Sequence, residues 1–410
     1  LTFSSWILIA IFGSIPFIYS SSALSYTDAF FESVSGITTT GATVIPNLDL
    51  LPEGILIWRS LLQWFGGIGI IVLALAILPT LQIGGMQLLH MEHDDPYEKT
   101  IPKINQFVLE IILLYIALSI ICFLLYYFNG MSGFDSIIHA MTTISTGGFS
   151  SHDLSFAYFN SQSIETISIL FMIIGSLPFV IYLQFIHGNV NSFFKDEQIK
   201  LFFIILLIII LLTTLWLNLY KSLELSNAFR LAIFNITSIL TGTGYVNSNY
   251  SNWGSFGLVI MIVIMFIGGC AGSTTGGIKI FRLQLLFKGA KNQIKKLTQP
   301  HAVLMMRFNG KNVTENTYNS IMGFFFMYII IFILASISLS FFNLDFITAF
   351  SASASAISNV GPGIGDIIGP SSNYASIQDG AKWILAFTML IGRLEIFTIL
   401  VLFSFNFWKK

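Results

Sequence analysis

The chain has 410 residues, 55% hydrophobic and 10% charged, with a formal net charge of −1. Ordinary soluble domains carry about 25% charged residues, so this balance excludes a soluble globular protein of this size, and near-neutral charge excludes the basic footprint of a nucleic-acid partner. Cys122 and Cys270 both lie in apolar segments and make neither a disulfide framework nor a zinc site.

In chain order, the sequence predicts a first long apolar helix over 3–20. No charged leader precedes it, so no signal peptide is read there, and the chain is expected to begin inside a longer protein. A short amphipathic segment, Asp28–Thr38, then leads into the turn Thr39-Thr40-Gly41-Ala42, and a second long helix follows over 54–82. The unit recurs with helices over 104–128 and 160–187 around Asp135–Ile144 and the turn Ser145-Thr146-Gly147-Gly148. It recurs again with helices over 198–219 and 253–287 around Asn227–Ile239 and Leu240-Thr241-Gly242-Thr243. The last copy has helices over 318–341 and 381–407 around Asp345–Ser358 and Asn359-Val360-Gly361-Pro362. The long segments reach the roughly 20 residues a hydrocarbon core requires. The four glycines are spaced by about two membrane helices plus a re-entrant loop. Asp28, Asp135, Asn227 and Asp345, near the starts of the short segments, read as N-caps.

The expected fold is therefore an all-α membrane protein of four pseudo-symmetric helix–pore-loop–helix repeats around one central pore. The repeats cover 1–85, 86–190, 191–300 and 301–410. Gly276–Asn312 carries Lys279, Arg282, Lys288, Lys291, Lys295, Lys296, Arg307 and Lys311 and no acid, whereas the stretches just after the turns carry acids. The positive-inside rule puts the basic segment in the cytoplasm and the turns toward the outer face. Lys221 and Arg230 are exceptions to that rule.

Irregular backbone at membrane depth survives only where protein buries it or water lines it. Four such turns converging on one axis present carbonyl oxygens that replace the water shell of a cation. Glycine permits the backbone angles this requires, and the short helices aim their partially negative C-termini at the same place. No carboxylate lies within the turns, which disfavours a calcium-type acidic filter. A single glycine turn is commonplace in membrane proteins; four with the same preceding helix are not.

The sixth predicted helix is interrupted by Gly268-Gly269-Cys270-Ala271-Gly272-Ser273-Thr274-Thr275-Gly276-Gly277, five glycines in ten residues. The break starts about 15 residues beyond Trp253, roughly 22 Å along a helix, and so lies deeper than the turns. It reads as a gate loop; close helix packing through small residues is the simpler alternative. A phosphate-binding loop is excluded because the Gly-Lys-Ser/Thr ending is missing. Arg393, in the last helix among apolar neighbours, is a costly intramembrane charge. It either faces the pore or forms a salt bridge, with Glu32 or Glu110 as candidate partners. His139 reads as a packed, hydrogen-bonded side chain. His90, His93, His152, His187 and His301 lie at membrane edges without metal-ligand spacing. Glu92, Asp94, Asp95 and Glu98 read as a solvated cytoplasmic loop.

At these residues the sequence resembles the Trk/Ktr/HKT superfamily of potassium transporters, most closely the bacterial Trk-type membrane subunit. Phe30-Phe31-Glu32-Ser33, Thr38-Thr39-Thr40-Gly41-Ala42-Thr43, Gln63-Trp64-Phe65-Gly66-Gly67 and Gly84-Gly85-Met86-Gln87 carry the likeness in the first repeat. Ser145-Thr146-Gly147-Gly148-Phe149, Thr241-Gly242-Thr243-Gly244-Tyr245 and Asn359-Val360-Gly361-Pro362-Gly363 carry it in the others. The resemblance implies a filter role for Thr39, Thr40, Gly41, Ser145, Thr146, Gly147, Leu240, Thr241, Gly242, Asn359, Val360 and Gly361. Gly41, where a serine accompanies sodium preference in the superfamily, favours potassium. The resemblance also places an arginine like Arg393, within Gly392-Arg393-Leu394-Glu395, on the permeation path. It further implies a homodimer in lipid, in the bacterial cytoplasmic membrane, docked on a cytosolic nucleotide-binding subunit of the RCK/KTN type. Potassium is then the transported ligand, and no cofactor is expected in this chain. The competing function is a sodium- or proton-coupled potassium symporter with alternating access, which would use paired inverted repeats and midplane ionisable residues. An intramembrane enzyme has no Ser/His/Asp, metal or paired-aspartate constellation here.

Overall fold

The computed structural model describes residues 2–20, 23–74, 104–302 and 304–403. The Gly84-Gly85-Met86-Gln87 motif, His90, His93, the acidic group from Glu92 to Glu98 and the boundary between the first two repeats lie outside the described residues. So do the ends of the second and eighth predicted helices.

The first repeat comprises α1 (Thr2–Tyr19), the short α2 (Tyr26–Ile37) and α3 (Glu53–Val72). The second has α4 (Ile104–Phe128), the short α5 (Gly133–Ile144) and a bent pair, α6 (Gln162–Ser176) and α7 (Phe179–Ile186). After the small α8 (Asn191–Lys195), the third has α9 (Glu197–Lys221), the short α10 (Leu225–Leu240), α11 (Gly254–Phe266) and α12 (Ile280–Thr298). A hairpin of β1 (Arg307–Phe308) and β2 (Lys311–Asn312) leads to α13 (Glu315–Ser340), the short α14 (Phe346–Ser358), α15 (Asp379–Arg393) and α16 (Ile396–Leu400).

Among the described residues, α1, α3, α4, α9 and α13 are each long and apolar enough to cross a membrane, and the bent α6–α7 pair makes a sixth span. Their outward faces carry exposed Leu113, Ile120, Leu124, Leu207, Leu211 and Ile333, as lipid-facing surface requires.

Among the described residues, three of the eight predicted spans are broken. The break in the sixth was expected; those in the fourth and eighth correct the continuous helices expected over 160–187 and 381–407. α6 and α7 meet at 93°. Pro178 has no N–H to continue the ladder and restricts Leu177 to extended backbone, φ −91° and ψ 159°. The last span breaks at Leu394-Glu395, where Glu395 adopts φ +63°. A left-handed non-glycine residue cannot continue a helix.

The short helices start on different caps from those expected. Asp345 does cap α14, accepting from the Thr348 N–H at 3.2 Å. Asp28 and Asp135 instead sit inside their helices, and Ser25 and Ser132 cap them, accepting from the Asp28 and Asp135 N–H groups at 3.1 and 3.0 Å. Each serine hydroxyl donates back to the aspartate carboxylate, a reciprocal cap that fixes the first turn. Asn227 lies within α10, which starts after Glu224 without a side-chain cap.

Each short helix packs on the long helices of its own repeat and on one from a neighbour. α2 meets α15 of the fourth repeat, α5 meets α3 of the first, α10 meets α6 of the second and α14 meets α11 of the third. This neighbour relation closes a circle, so all four short helices bring their C-termini to one place. They are buried with their polar residues; Ser35, Thr142, Thr143, Thr237, Ser238, Ser353 and Ser355 are inaccessible or nearly so.

Candidate ion-conduction site

Each short helix ends in the same backbone form. One residue turns left-handed (Thr39, Thr146, Gly242 and Asn359, φ +52°, +49°, +69° and +56°), and a glycine two residues later has positive φ (Gly41, Gly148, Gly244 and Gly361, +85°, +78°, +82° and +105°). The intervening residue returns its N–H to a carbonyl of the short helix: Thr40 to Ser35, Gly147 to Thr142, Thr243 to Ser238 and Val360 to Ser355.

The four glycines close a ring. A Cβ on Gly41 would lie 2.2 Å from the Gly147 carbonyl oxygen, on Gly148 1.8 Å from that of Thr243, on Gly244 2.0 Å from that of Val360, and on Gly361 2.6 Å from that of Thr40. Each turn thus abuts the carbonyl of the next, and the fourth returns to the first. Here glycine is needed twice over, for its positive φ and for the closeness of the neighbouring carbonyl. All four glycines also line one outward-facing depression with Thr43, His152 and Asp153.

This geometry shifts the register expected for two repeats. The positions matching Thr39-Thr40-Gly41 are Thr146-Gly147-Gly148 and Gly242-Thr243-Gly244. Ser145 and Thr241 therefore match Thr38, and Leu240 is the buried last residue of α10. Gly148, Thr243 and Gly244 are the ring residues missing from the expected set. A signal for them was present: Ile37-Thr38, Ile144-Ser145, Leu240-Thr241 and Ile357-Ser358 each pair an aliphatic with a hydroxyl residue just before the left-handed position.

Below the ring lies the broken sixth span, 267–279. Its backbone bonds to the break in the fourth span. The Cys270 and Thr274 N–H groups donate to the carbonyls of Ser176 and Gly175, and Phe179 N–H donates to the Gly272 carbonyl. The groups released by the Pro178 kink are thus those that hold the loop, as buried backbone polar groups require partners. Gln198, in the first turn of α9, accepts from the Ala271 N–H at 2.9 Å. Within the loop the Ser273 hydroxyl donates to the Cys270 carbonyl at 2.6 Å, and Lys279 donates to the Thr275 carbonyl. Gly268 and Gly269 leave no room for a side chain: a Cβ would lie 2.0 Å from the Gly276 carbonyl or 2.8 Å from that of Ser176. Gly277 adopts φ +68°.

The loop touches three turns. Thr274 Oγ1 lies 3.0 Å from Thr146 Oγ1 and donates to the Ile144 carbonyl at 3.2 Å. A Cβ on Gly276 would lie 2.3 Å from the Ser358 carbonyl, and one on Gly242 would be 3.8 Å from the Gly276 nitrogen.

Arg393 ends α15, 3% exposed, and its three guanidinium nitrogens make no hydrogen bond to the described residues. The salt bridge to Glu32 considered for it does not form, because Glu32 bonds Arg59 Nε at 2.8 Å. Glu395 bonds Arg282 at 2.7 Å, and Arg282 lies over the Phe324 ring, 3.8 Å from its centroid. The outer-side exception Arg230 is paired with Glu165 at 2.8 Å. His139 is the packed residue expected, its ring nitrogens 2.9 and 3.0 Å from the Asp135 carbonyl and the Ser150 hydroxyl.

Spanning helices enclosing a ring of inward-ending short helices define the architecture of a multi-pass membrane transport protein. The chain belongs to the TrkH family of cation transport proteins, whose family model matches residues 2–410. The Trk system potassium uptake protein TrkI of Halomonas elongata is 39% identical over 411 residues, covering 100% of this chain and 83% of that protein. The Trk system potassium uptake protein TrkH of Salmonella typhimurium is 40% identical over 412 residues, covering 99% and 84%. The crystal structure of the potassium transporter TrkH from Vibrio parahaemolyticus superposes with a TM-score of 0.91 at 37% identity, covering 100% of this chain and 85% of that one.

Proposed function

We propose that this chain takes up potassium across the bacterial inner membrane through a channel-like pore whose filter is the ring of four turns. The closed sequence of glycine-to-carbonyl contacts carries this reading. A dehydrated cation needs several backbone oxygens at one level, and a carbonyl ring binds weakly enough to release it again. The filter then comprises Thr39, Thr40 and Gly41, Thr146, Gly147 and Gly148, Gly242, Thr243 and Gly244, and Asn359, Val360 and Gly361.

The loop from Gly268 to Gly277 acts as the gate, closed here against the second, third and fourth turns. Arg393 adds a positive charge to the barrier. A membrane homodimer with a cytosolic nucleotide-binding regulator of the RCK/KTN type fits the names of the relatives as parts of a Trk system. A proton-coupled symporter would need an intramembrane ionisable group free to exchange its proton. Of the buried acids among the described residues, Glu32, Glu165 and Glu395 are held in ion pairs, and Asp196 caps α9 and is hydrogen-bonded by Asn309 away from the ring, which favours the channel-like reading.

Flux of potassium against sodium in proteoliposomes, with and without the regulator, tests this. Selective potassium flux driven by its own gradient is expected. Flux that stops unless a sodium or proton gradient is present would overturn it in favour of the symporter.

A further inference from the structure

We propose that Glu32 and Arg59 form a charged brace that holds the first and second turns at a fixed separation and so sets the ion preference of the ring. This rests on the reading of the ring as the filter.

Glu32, on α2, is fully buried, and Arg59, on α3, is 1% exposed. The carboxylate accepts from Arg59 Nε at 2.8 Å, from the Val44 N–H at 2.9 Å and from the Thr43 hydroxyl at 3.0 and 3.1 Å. The guanidinium reaches the other way. Its Nη1 donates to the Ser150 carbonyl at 3.0 Å, and its plane lies over the Phe149 ring, 4.1 Å from the centroid.

The two anchor points are equivalent. Thr43 lies two residues beyond the ring glycine Gly41, and Ser150 two residues beyond Gly148. The pair therefore ties the same position of adjacent turns together, through bonds that charge strengthens and burial shields from solvent. The fourth turn is held to the first by neutral groups: Tyr374 donates its hydroxyl to the Gly361 carbonyl at 2.9 Å and its N–H to the Thr43 carbonyl at 2.8 Å. The third turn meets the fourth through the Tyr250 hydroxyl, 3.5 Å from the Gly363 carbonyl. The third turn meets the second through the Tyr245 hydroxyl, 2.5 Å from Thr142 Oγ1, so of these four ties between adjacent turns only the one between the first two is charge-assisted and it resists stretching most. A ring that discriminates between cations of different size must resist collapsing around the smaller one, so the stiff side is where selectivity is decided. Glu32 and Arg59 are positioning residues and need not touch the ion.

The test is the ratio of potassium to sodium flux in proteoliposomes of the full chain. Arg59→Lys keeps the positive charge beside Glu32. An ammonium lacks the planar fork that reaches Glu32 and Ser150 together, so the tie to the second turn is lost. The ratio is expected to fall about tenfold, the size of one charge-assisted bond, with potassium flux retained. A merely structural role would lower folded protein and both fluxes together and leave the ratio unchanged. Should Arg59→Lys fail to fold, Thr43→Val is read instead. It removes one donor to Glu32 and leaves the ion pair intact, and it should lower the ratio about threefold. A folded variant with an unchanged ratio, in a preparation where Gly41→Ser lowers it, overturns the brace. If Gly41→Ser also leaves the ratio unchanged, the filter reading itself fails.

Discussion

Thr146, in the second turn, and Thr274, in the loop beneath it, face each other with hydroxyl oxygens 3.0 Å apart. The Thr274 hydroxyl also lies within bonding distance of the Gly175 and Ile144 carbonyls, at 2.9 and 3.2 Å. One side chain thus joins the ring, the kinked fourth span and the interrupted sixth. Thr274→Val keeps the shape and removes the hydroxyl. Losing about 1 kcal/mol of hydrogen bonding should loosen the closed loop and raise unregulated potassium flux by roughly fivefold per folded subunit. Unchanged basal flux would place the loop's hold elsewhere.

Deleting Gly269–Thr275 should raise basal flux further and weaken its dependence on the regulator, because the steric block is removed while the ring remains. Arg393→Ala should raise flux as well, by removing a repulsive charge. Both act on one barrier, so the double variant should give less than the product of the single effects. Flux normalised to folded protein is the measurement. A well-folded deletion with normal, regulated flux would remove the loop from the gate.

The register of the third turn is tested by two glycines. Gly244→Ala puts a Cβ 2.0 Å from the Val360 carbonyl at φ +82°, and should abolish selective flux or folding. Gly242→Asn is expected to be tolerated. Its Cβ would lie 3.5 Å from its nearest neighbour, the Asn359 carbonyl oxygen, and Asn359 itself holds the matching left-handed position in the fourth turn. Ratios of potassium to sodium flux and folded yield for the two variants decide the point; equal damage would undo the alignment.

On the outer side, His152 sits between Asp49 and Asp135, 3.3 Å from the latter, and stacks on Tyr158. Burial opposes its charge, but bonds to Asp135 and Asp49 and their negative charges outweigh it and raise its pKa above the usual histidine value. Burial likewise opposes ionisation of Asp49, yet the His152 bond and charge leave its pKa lowered. A raised histidine stabilises fully below its unfolded pKa and loses that contribution as pH rises through the folded one. The lowered aspartate contributes above its unfolded pKa and loses it as pH falls through the folded one. The contact should therefore be strongest in mildly acidic solution. His152→Gln should lower the thermal midpoint most there and least at alkaline pH; a uniform loss at every pH would argue against the charge.

On α12, Lys288 is engaged with Glu197, whereas Lys291, Lys295 and Lys296 lie on the part of the helix that extends beyond the packed core. Changing those three to Glu should weaken complex formation with the proposed cytosolic regulator and reduce its salt dependence. Pull-down across a salt series measures this. Normal recovery at every salt concentration would leave anionic lipid headgroups as their target.

The class of fold is already written in the order of residues. Charge-poor runs of spanning length, repeated four times around glycine turns, admit few other solutions in a bilayer, where every backbone group must be satisfied internally. The same order also located the interruption at Gly268–Gly277, because glycine density is a local property. The 93° bend at Leu177-Pro178 was not expected, because the run over 160–187 is apolar throughout and a proline can kink a spanning helix without breaking it. Which residues face one another emerges from the folded bundle alone. The register of the second and third turns depends on which carbonyl meets which glycine across the ring. Glu32 and Arg59, 27 residues apart, become partners by bundle geometry, and Glu395 meets Arg282 across 113. Side chains distant in sequence carry no periodicity that pairs them. Their matching is fixed by packing, and packing gathers the four turns that the sequence could only number.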